Sequence, residues 1–283
     1  MTKPAIENLR AQLHEALLLD LDDYGLDENQ GELTSKFIGL QLNSAFQPIY
    51  DAEAGDFFGH EALLRPSLGG IQPATPQFAF SFAEESGKLV KFDRVCRTLH
   101  VLNYLQIADK NRPLFLNVHP KLLVSVNAHG KVFERILHAH SVPTQQVVIE
   151  IQESAVEQEK QLSEAIENYK DRGYRIAIDD FGRKHSNLER LWRLEPEFVK
   201  LDLSIIQEVE HNPRVKRILP GLIKIIRDLG AQPVIEGIET QVQLDLAIES
   251  GATLLQGYFL GKPASIRHWL QSPFQAPSIK AAA

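Results

Sequence analysis

From Leu42 onward the chain is organised by eight short apolar runs, most of them ending on a polar residue. They read "LNSAFQPIYD", "FFGHEALLR", "PLFLNVHP", "QVVIEIQES", "YRIAIDDFG", "FVKLDLS", "QPVIEGIET" and "TLLQGYFL". Most of the segments between them have helical periodicity. Phe92, Val95, Leu99 and Leu102 form one stripe; Leu162, Ile166 and Tyr169 form a second, stopped by Gly173. Leu222, Ile225, Ile226 and Leu229 form a third, stopped by Gly230. Thr240 is placed to cap a helix carrying Leu244, Ala247 and Ile248, which Gly251 ends. Eight strands alternating with helices over about 240 residues predict an α/β chain folded as a TIM (β/α)8 barrel.

One connection departs from that plan. Little more than "AEAG" separates the first two runs. Parallel neighbours need a crossover of roughly a dozen residues, so this pair must be antiparallel. The expectation is therefore a modified TIM barrel with one antiparallel strand. An open doubly wound sheet is the main alternative, but no Gly-rich phosphate loop follows the first strand. Ahead of the barrel, residues 4–21 predict an amphipathic helix with Ile6, Leu9, Leu13 and Leu17 on one face, and "DDYGLDENQGELTS" reads as a linker. The domain plan is a helical extension and linker over 1–41 and a barrel over 42–283. Residues 1–41 are too few for an input domain.

Composition narrows the function. Of 283 residues, 43% are hydrophobic, enough for a barrel core. A formal net charge of −7 leaves no global basic field for a nucleic-acid polymer. The single cysteine, Cys96, precludes an internal disulfide and fits a cytoplasmic protein. The apolar run near the N-terminus is broken by His14, Glu15 and Asp20, so neither a signal peptide nor a membrane span is expected.

The strand ends carry the chemistry. In a barrel they line the active-site mouth. In order they are Glu61, Asn117, Glu150, the adjacent pair Asp179 and Asp180, Lys200, Glu236 and Gln256. A lone acid at a strand end is usually a cap or a solvated loop residue. Acids at the same end of several strands, with few bases to pair them, would repel by several kcal/mol in a partly buried mouth. Hard divalent cations with oxygen ligands resolve the repulsion. Two of them about 3.5–4 Å apart suit an in-line displacement at phosphorus. Lys200 is the one cation in the ring, and a structural salt bridge to an aspartate is its plainer reading.

The same residues carry a family resemblance. "QPI", "EALLR", "NVHP", "IEIQES", "IDDFG", "VKLD", "IEGIET" and "QGYFLGKP" occur in the order and spacing of the EAL domain, from about Leu42 to Pro263. That family comprises bacterial phosphodiesterases that hydrolyse cyclic di-GMP to linear pGpG. The resemblance implies a two-metal site for Mg²⁺ or Mn²⁺, with Glu61, Asn117, Glu150 and Asp179 on the first ion and Asp180 anchoring the second. It implies that Glu236 is the general base or a metal-linked carboxylate. Lys200 would touch the attacking water or the metal-site aspartate, and Gln256 would line the same site. It makes Gln47, Leu63 and Arg65 substrate contacts and Glu153 the residue holding the loop after "DDFG". It also implies a homodimer, and the N-terminal helix is a candidate surface for a protein partner.

One stretch departs from the family. After "DDFG" it usually continues with a Gly-containing run such as TGYSSL, whereas this chain reads "RKHSNL", Arg183 to Leu188. His119 in "NVHP" is a milder variant and is not read as a ligand. The full acid set favours an active phosphodiesterase. The altered loop favours the alternative, a weak or silent cyclic di-GMP receptor that signals through a partner.

Overall fold

The computed structural model describes residues 25–29, 31–106, 112–125, 130–152, 159–183 and 187–272. The strands are β1 (Leu26–Asn29), β2 (Glu32–Phe37), β3 (Leu40–Asp51), β4 (Asp56–Leu68), β5 (Gln72–Pro73), β6 (Leu114–Asn117), β7 (Val147–Gln152), β8 (Arg175–Phe181), β9 (Phe198–Leu201), β10 (Gln232–Ile235) and β11 (Leu254–Leu255). The helices are α1 (Pro76–Glu85), α2 (Leu89–Tyr104), α3 (Pro120–Ser125), α4 (Lys131–Ala139), α5 (Glu159–Asp171), α6 (Leu188–Leu194), α7 (Leu203–His211), α8 (Pro213–Asp228), α9 (Gln241–Glu249) and α10 (Ile266–Gln271).

Eight of the strands close a barrel in the order β3, β4, β6, β7, β8, β9, β10, β11. β3 is antiparallel to β4 on one side and to β11 on the other, and the remaining neighbours are parallel. The modified barrel with one reversed strand is thus the observed fold. Among the described residues, no helix is long and apolar enough to cross a membrane.

The barrel interior is built in layers by the two-residue strand period. Ile49, Phe115, Val148, Ala177, Phe198, Val234 and Leu254 pack together as an apolar plug. Two residues towards the mouth from each stands Gln47, Asn117, Glu150, Asp179, Lys200, Glu236 or Gln256. Glu61 joins this polar layer through its pairing with Gln47. One inward-facing apolar residue and the next inward-facing residue, a polar one, therefore lay a charged floor on a dry plug.

The helices pack outside. α2 buries Phe92, Val95, Leu99 and Leu102, and α5 buries Leu162, Ile166 and Tyr169, as their stripes predict. Thr240 caps α9 in a reciprocal box with Gln243. α8 differs. It buries Leu219, Ile223 and Ile226, while Ile225 and Leu229 face solvent. The apolar arc covers about half of this helix, which is wider than the face that packs, so period alone does not select the buried residues.

The expected linker is also different, because it contains β1 and β2. Leu26, Leu33 and Phe37 are buried. Leu33 exchanges two backbone hydrogen bonds of 2.8 Å with the Asn103 side chain on α2. β2 pairs with β3 across the expected boundary at residue 42. The predicted helix over 4–21 lies outside the described residues.

β4 pairs with β6 only from His60 to Ala62. Beyond that point β3 and β4 continue as a ribbon, flanked by β2 and β1 on one edge and β5 on the other. This small antiparallel sheet rises above the mouth as a wall.

Candidate active site

Lys200, 1% exposed, stands at the centre of the polar layer. Its Nζ lies 2.7 Å from Glu150, 2.8 Å from Glu236, 3.2 Å from Glu61 and 3.3 Å from Asp179. Gln256 donates to Glu61 Oε2 at 2.7 Å. Asn117 Nδ2 bridges Glu61 and Glu150 at 3.0 and 2.9 Å. The ring is therefore one connected network built from seven strand ends.

The adjacent aspartates need a separate explanation. In a regular strand, neighbours point to opposite faces. β8 avoids this with a bulge: between its bridges to Val199 and Leu201 it carries one residue more than β9. Asp180 takes up the extra length in a left-handed conformation, φ 58°, which Asp tolerates better than most side chains. The bulge returns Asp180 to the mouth. Oxygens of Asp179, Asp180 and Glu236 then lie within 4.8 Å of one another.

Burial sets the protonation of this cluster. It pulls the Lys200 ammonium down, but Asp179 and then Glu150, Glu236 and Glu61 outweigh it and hold the lysine charged, well above its usual range. Burial pushes Glu236 up to about 8, despite Lys200. Burial, reinforced by Glu61, raises Glu150 strongly. Burial also raises Asp179, and it raises Asp180 with help from Asp179. Glu61 alone goes down, because Lys200, Gln256 and Asn117 overcome its desolvation. Five carboxylates against one ammonium leave an excess of negative charge that only protons or further cations can neutralise.

The donor set fits such cations. Gln256 Oε1 is buried and accepts no hydrogen bond, and the buried Glu150 Oε1 and Asp179 Oδ1 face the Lys200 ammonium at 2.7 and 3.3 Å. Carboxylate and amide oxygens are the ligands of hard divalent ions. Asn117 presents its Nδ2 to the acids, so coordination through Oδ1 calls for the opposite orientation of its amide.

The structure brings Glu61, Asn117, Glu150, Asp179, Asp180, Lys200, Glu236 and Gln256 to one mouth. Gln47 is buried one strand over and donates to the Gly261 carbonyl at 3.3 Å. Leu63 and Arg65 continue the Glu61 face of β4 up the wall. Arg65 is four residues from Glu61, roughly 13 Å along the strand, and donates to its own neighbour's carbonyl, that of Leu64. Glu153 and the loop positions Lys184, His185 and Ser186 lie outside the described residues. Arg183, from the loop that departs from the family, lies 3.7 Å from Asp180 Oδ2. Sequence reasoning misses Gln152, which donates to the same oxygen at 3.4 Å. Gln152 was findable, since it follows Glu150 by two residues and shares its face of β7.

Comparison with known proteins settles the family. A model described as "EAL domain" matches residues 30–263. The chain belongs to the EAL domain family. Its relatives include the cyclic di-GMP phosphodiesterase RocR of Pseudomonas aeruginosa, 28% identical over 239 residues, covering 81% of this chain and 59% of RocR. The uncharacterized EAL-domain containing protein YkuI of Bacillus subtilis is 30% identical over 224 residues, covering 77% of this chain and 54% of YkuI. This EAL chain thus spans little more than half the length of either relative. Among solved structures, the calcium and cyclic di-GMP complex of Klebsiella pneumoniae BlrP1 superposes with a TM-score of 0.72 at 25% identity, over 80% of this chain and 56% of that one.

Proposed function

We propose that this EAL domain hydrolyses cyclic di-GMP to linear pGpG with two divalent cations, Mg²⁺ or Mn²⁺. The observation carrying this reading is the convergence of Asp179, Asp180 and Glu236 within 4.8 Å, beside a lysine already in contact with four acids. Glu61, Asn117, Glu150 and Asp179 would hold one cation, and Asp180 with the shared Asp179 the other. When bound, the cations neutralise the phosphodiester and lower the pKa of an attacking water.

The chain's own residues do the rest. Glu236, at the rim of the polar layer, is the carboxylate placed to take a proton from that water. Lys200 offsets the repulsion among the acids and holds Glu236 Oε1 at 2.8 Å. Gln256 fixes the rotamer of Glu61. Gln47, Leu63 and Arg65 line the approach from the wall, where the planar Arg65 fork suits a phosphate or a guanine edge.

A second reading, a silent cyclic di-GMP receptor, draws on one observation: Arg183 lies against Asp180, where the second cation would bind. One experiment separates the two. The protein is incubated with cyclic di-GMP and Mg²⁺ or Mn²⁺, and pGpG is followed by chromatography. Metal-dependent pGpG supports the enzyme. Tight binding without turnover at any metal concentration assigns the chain to the receptor class, and full turnover in excess chelator removes the two-metal mechanism.

A further inference from the structure

We infer that Tyr258 and Lys262 form a ledge at the rim of the mouth that receives one guanine base of the substrate. The inference rests on cyclic di-GMP being the ligand. The turn that follows Gln256 is fastened on two sides. On one side, Ile238, two residues beyond Glu236, donates to the Gln256 carbonyl at 3.1 Å and accepts from Phe259 N at 3.0 Å. Gly257 is pressed so closely here that a Cβ would overlap the Ile238 backbone. On the other side, Gly261 lies on the Pro48 ring and accepts from the Gln47 side chain. The next residues pair with β3 through reciprocal Phe46 and Ala264 backbone bonds of 2.7 and 3.1 Å. The turn therefore spans the rim between the proposed base, Glu236, and the proposed substrate contact, Gln47.

On this fastened turn an aromatic ring is left open. Tyr258 is 55% exposed, although its neighbours on both sides are held. The Lys262 ammonium lies 5.7 Å from the centre of its ring. A rigidly presented phenol loses little entropy when a flat base stacks on it. A lysine beside the stack can donate to guanine O6 and N7, the two adjacent acceptors that distinguish guanine from adenine at that edge. The apolar plug and the acid layer beneath offer nothing comparable to a base, and Arg65 stands on β4, two strands away from β11 in the barrel. The ring would supply affinity and the lysine selectivity for guanine.

The test is a titration of the whole chain with cyclic di-GMP and with cyclic di-AMP in Ca²⁺, for wild type, Y258A, Y258F and K262A. Y258A is expected to raise Kd for cyclic di-GMP about 10-fold, the scale of one lost base–aromatic stack. Y258F should stay near wild type, because stacking needs the ring and not the hydroxyl. K262A should narrow the preference for cyclic di-GMP over cyclic di-AMP. In turnover assays the same variants should change KM while leaving kcat in place, and thermal melts should show an intact fold. A wild-type chain that binds cyclic di-GMP together with an unaltered Kd in Y258A overturns the ledge and leaves the proposed function standing. A wild-type chain that does not bind cyclic di-GMP overturns both.

Discussion

Replacing Lys200 by Met should convert the polar layer from a self-neutralising network into one that depends on metal. The ammonium is buried and touches Glu61, Glu150, Asp179 and Glu236 between 2.7 and 3.3 Å. Met keeps much of the stem's volume and removes the charge. Deleting one partner of a buried ionic group typically costs about 3–5 kcal/mol, since the remaining charges are left unpaired. Here four acids lose their shared cation, so the metal-free variant should fall in that range. Proton uptake by the acids limits the loss, which should therefore be larger at pH 8 than at pH 6. Divalent cations act in the opposite direction. Without the ammonium they meet less repulsion, and a ligand at a hundred times its Kd stabilises by about 2.7 kcal/mol. Urea unfolding of both proteins, with chelator and with millimolar Mn²⁺, measures these effects. The expected result is a large deficit in chelator that shrinks in Mn²⁺, together with lost turnover from the misplaced Glu236. Equal stability of the two proteins in chelator, or a smaller Mn²⁺ stabilisation in Lys200→Met than in wild type, would refute the reasoning.

Asp179→Asn and Asp180→Asn should each remove most turnover while keeping the fold, and Asn accepts the left-handed backbone at position 180; near wild-type rates with Mg²⁺ would reduce that aspartate to a structural role. Arg183→Thr should lower the Mn²⁺ concentration needed for half-maximal binding by calorimetry, because an exposed cation leaves Asp180; an unchanged isotherm would show that Arg183 only decorates the surface. Metal affinity should rise with pH as Glu236, held up to about 8, gives up its proton; the proton release measured in buffers of different ionisation enthalpy checks this. Burial lowers His60 to about 4 and His100 to about 3. Both stay neutral in the fold while the unfolded chain protonates below about 6.5, so stability should drop as pH falls from there towards 4. His60 alone contributes about 2 kcal/mol of that loss by pH 5, and His60→Phe should flatten the urea-midpoint slope; an identical slope counts against it.

Much of this site is legible in the sequence because barrel strands obey a simple rule: the apolar run stops where the strand reaches the mouth. Glu150 after Val148, Lys200 after Phe198 and Glu236 after Val234 all follow it. What escapes is whatever departs from the two-residue period. Nothing in "IDDFG" announces that β8 bulges, so the sequence places Asp179 and Asp180 together at the mouth without showing how adjacent strand residues share a face; the left-handed backbone of Asp180 supplies the means. β1 and β2 escape for another reason. Their buried residues, Leu26, Leu33 and Phe37, are scattered among acids, glycines and hydroxyls, and their pairing comes from distant β3 and Asn103. The buried face of α8 is hidden by excess apolar residues, whose exposed members Ile218, Ile225 and Leu229 fit the pattern equally well.

The reversal of β3 also decides where mechanical load enters the molecule. In an all-parallel barrel the chain arrives at the floor, far from the catalytic rim. Here β3 begins at the top, and β1 and β2 carry the incoming chain there too. Gly25 bonds to Lys36, which pairs with Gln41, which pairs with Ser67, two residues from Arg65. Any pull on the chain at Gly25 is thus delivered through three rungs of backbone to the wall above the polar layer. Tension there would tilt Leu63 and Arg65 relative to the acid layer before it disturbed the plug, making the wall a lever and the barrel its fulcrum.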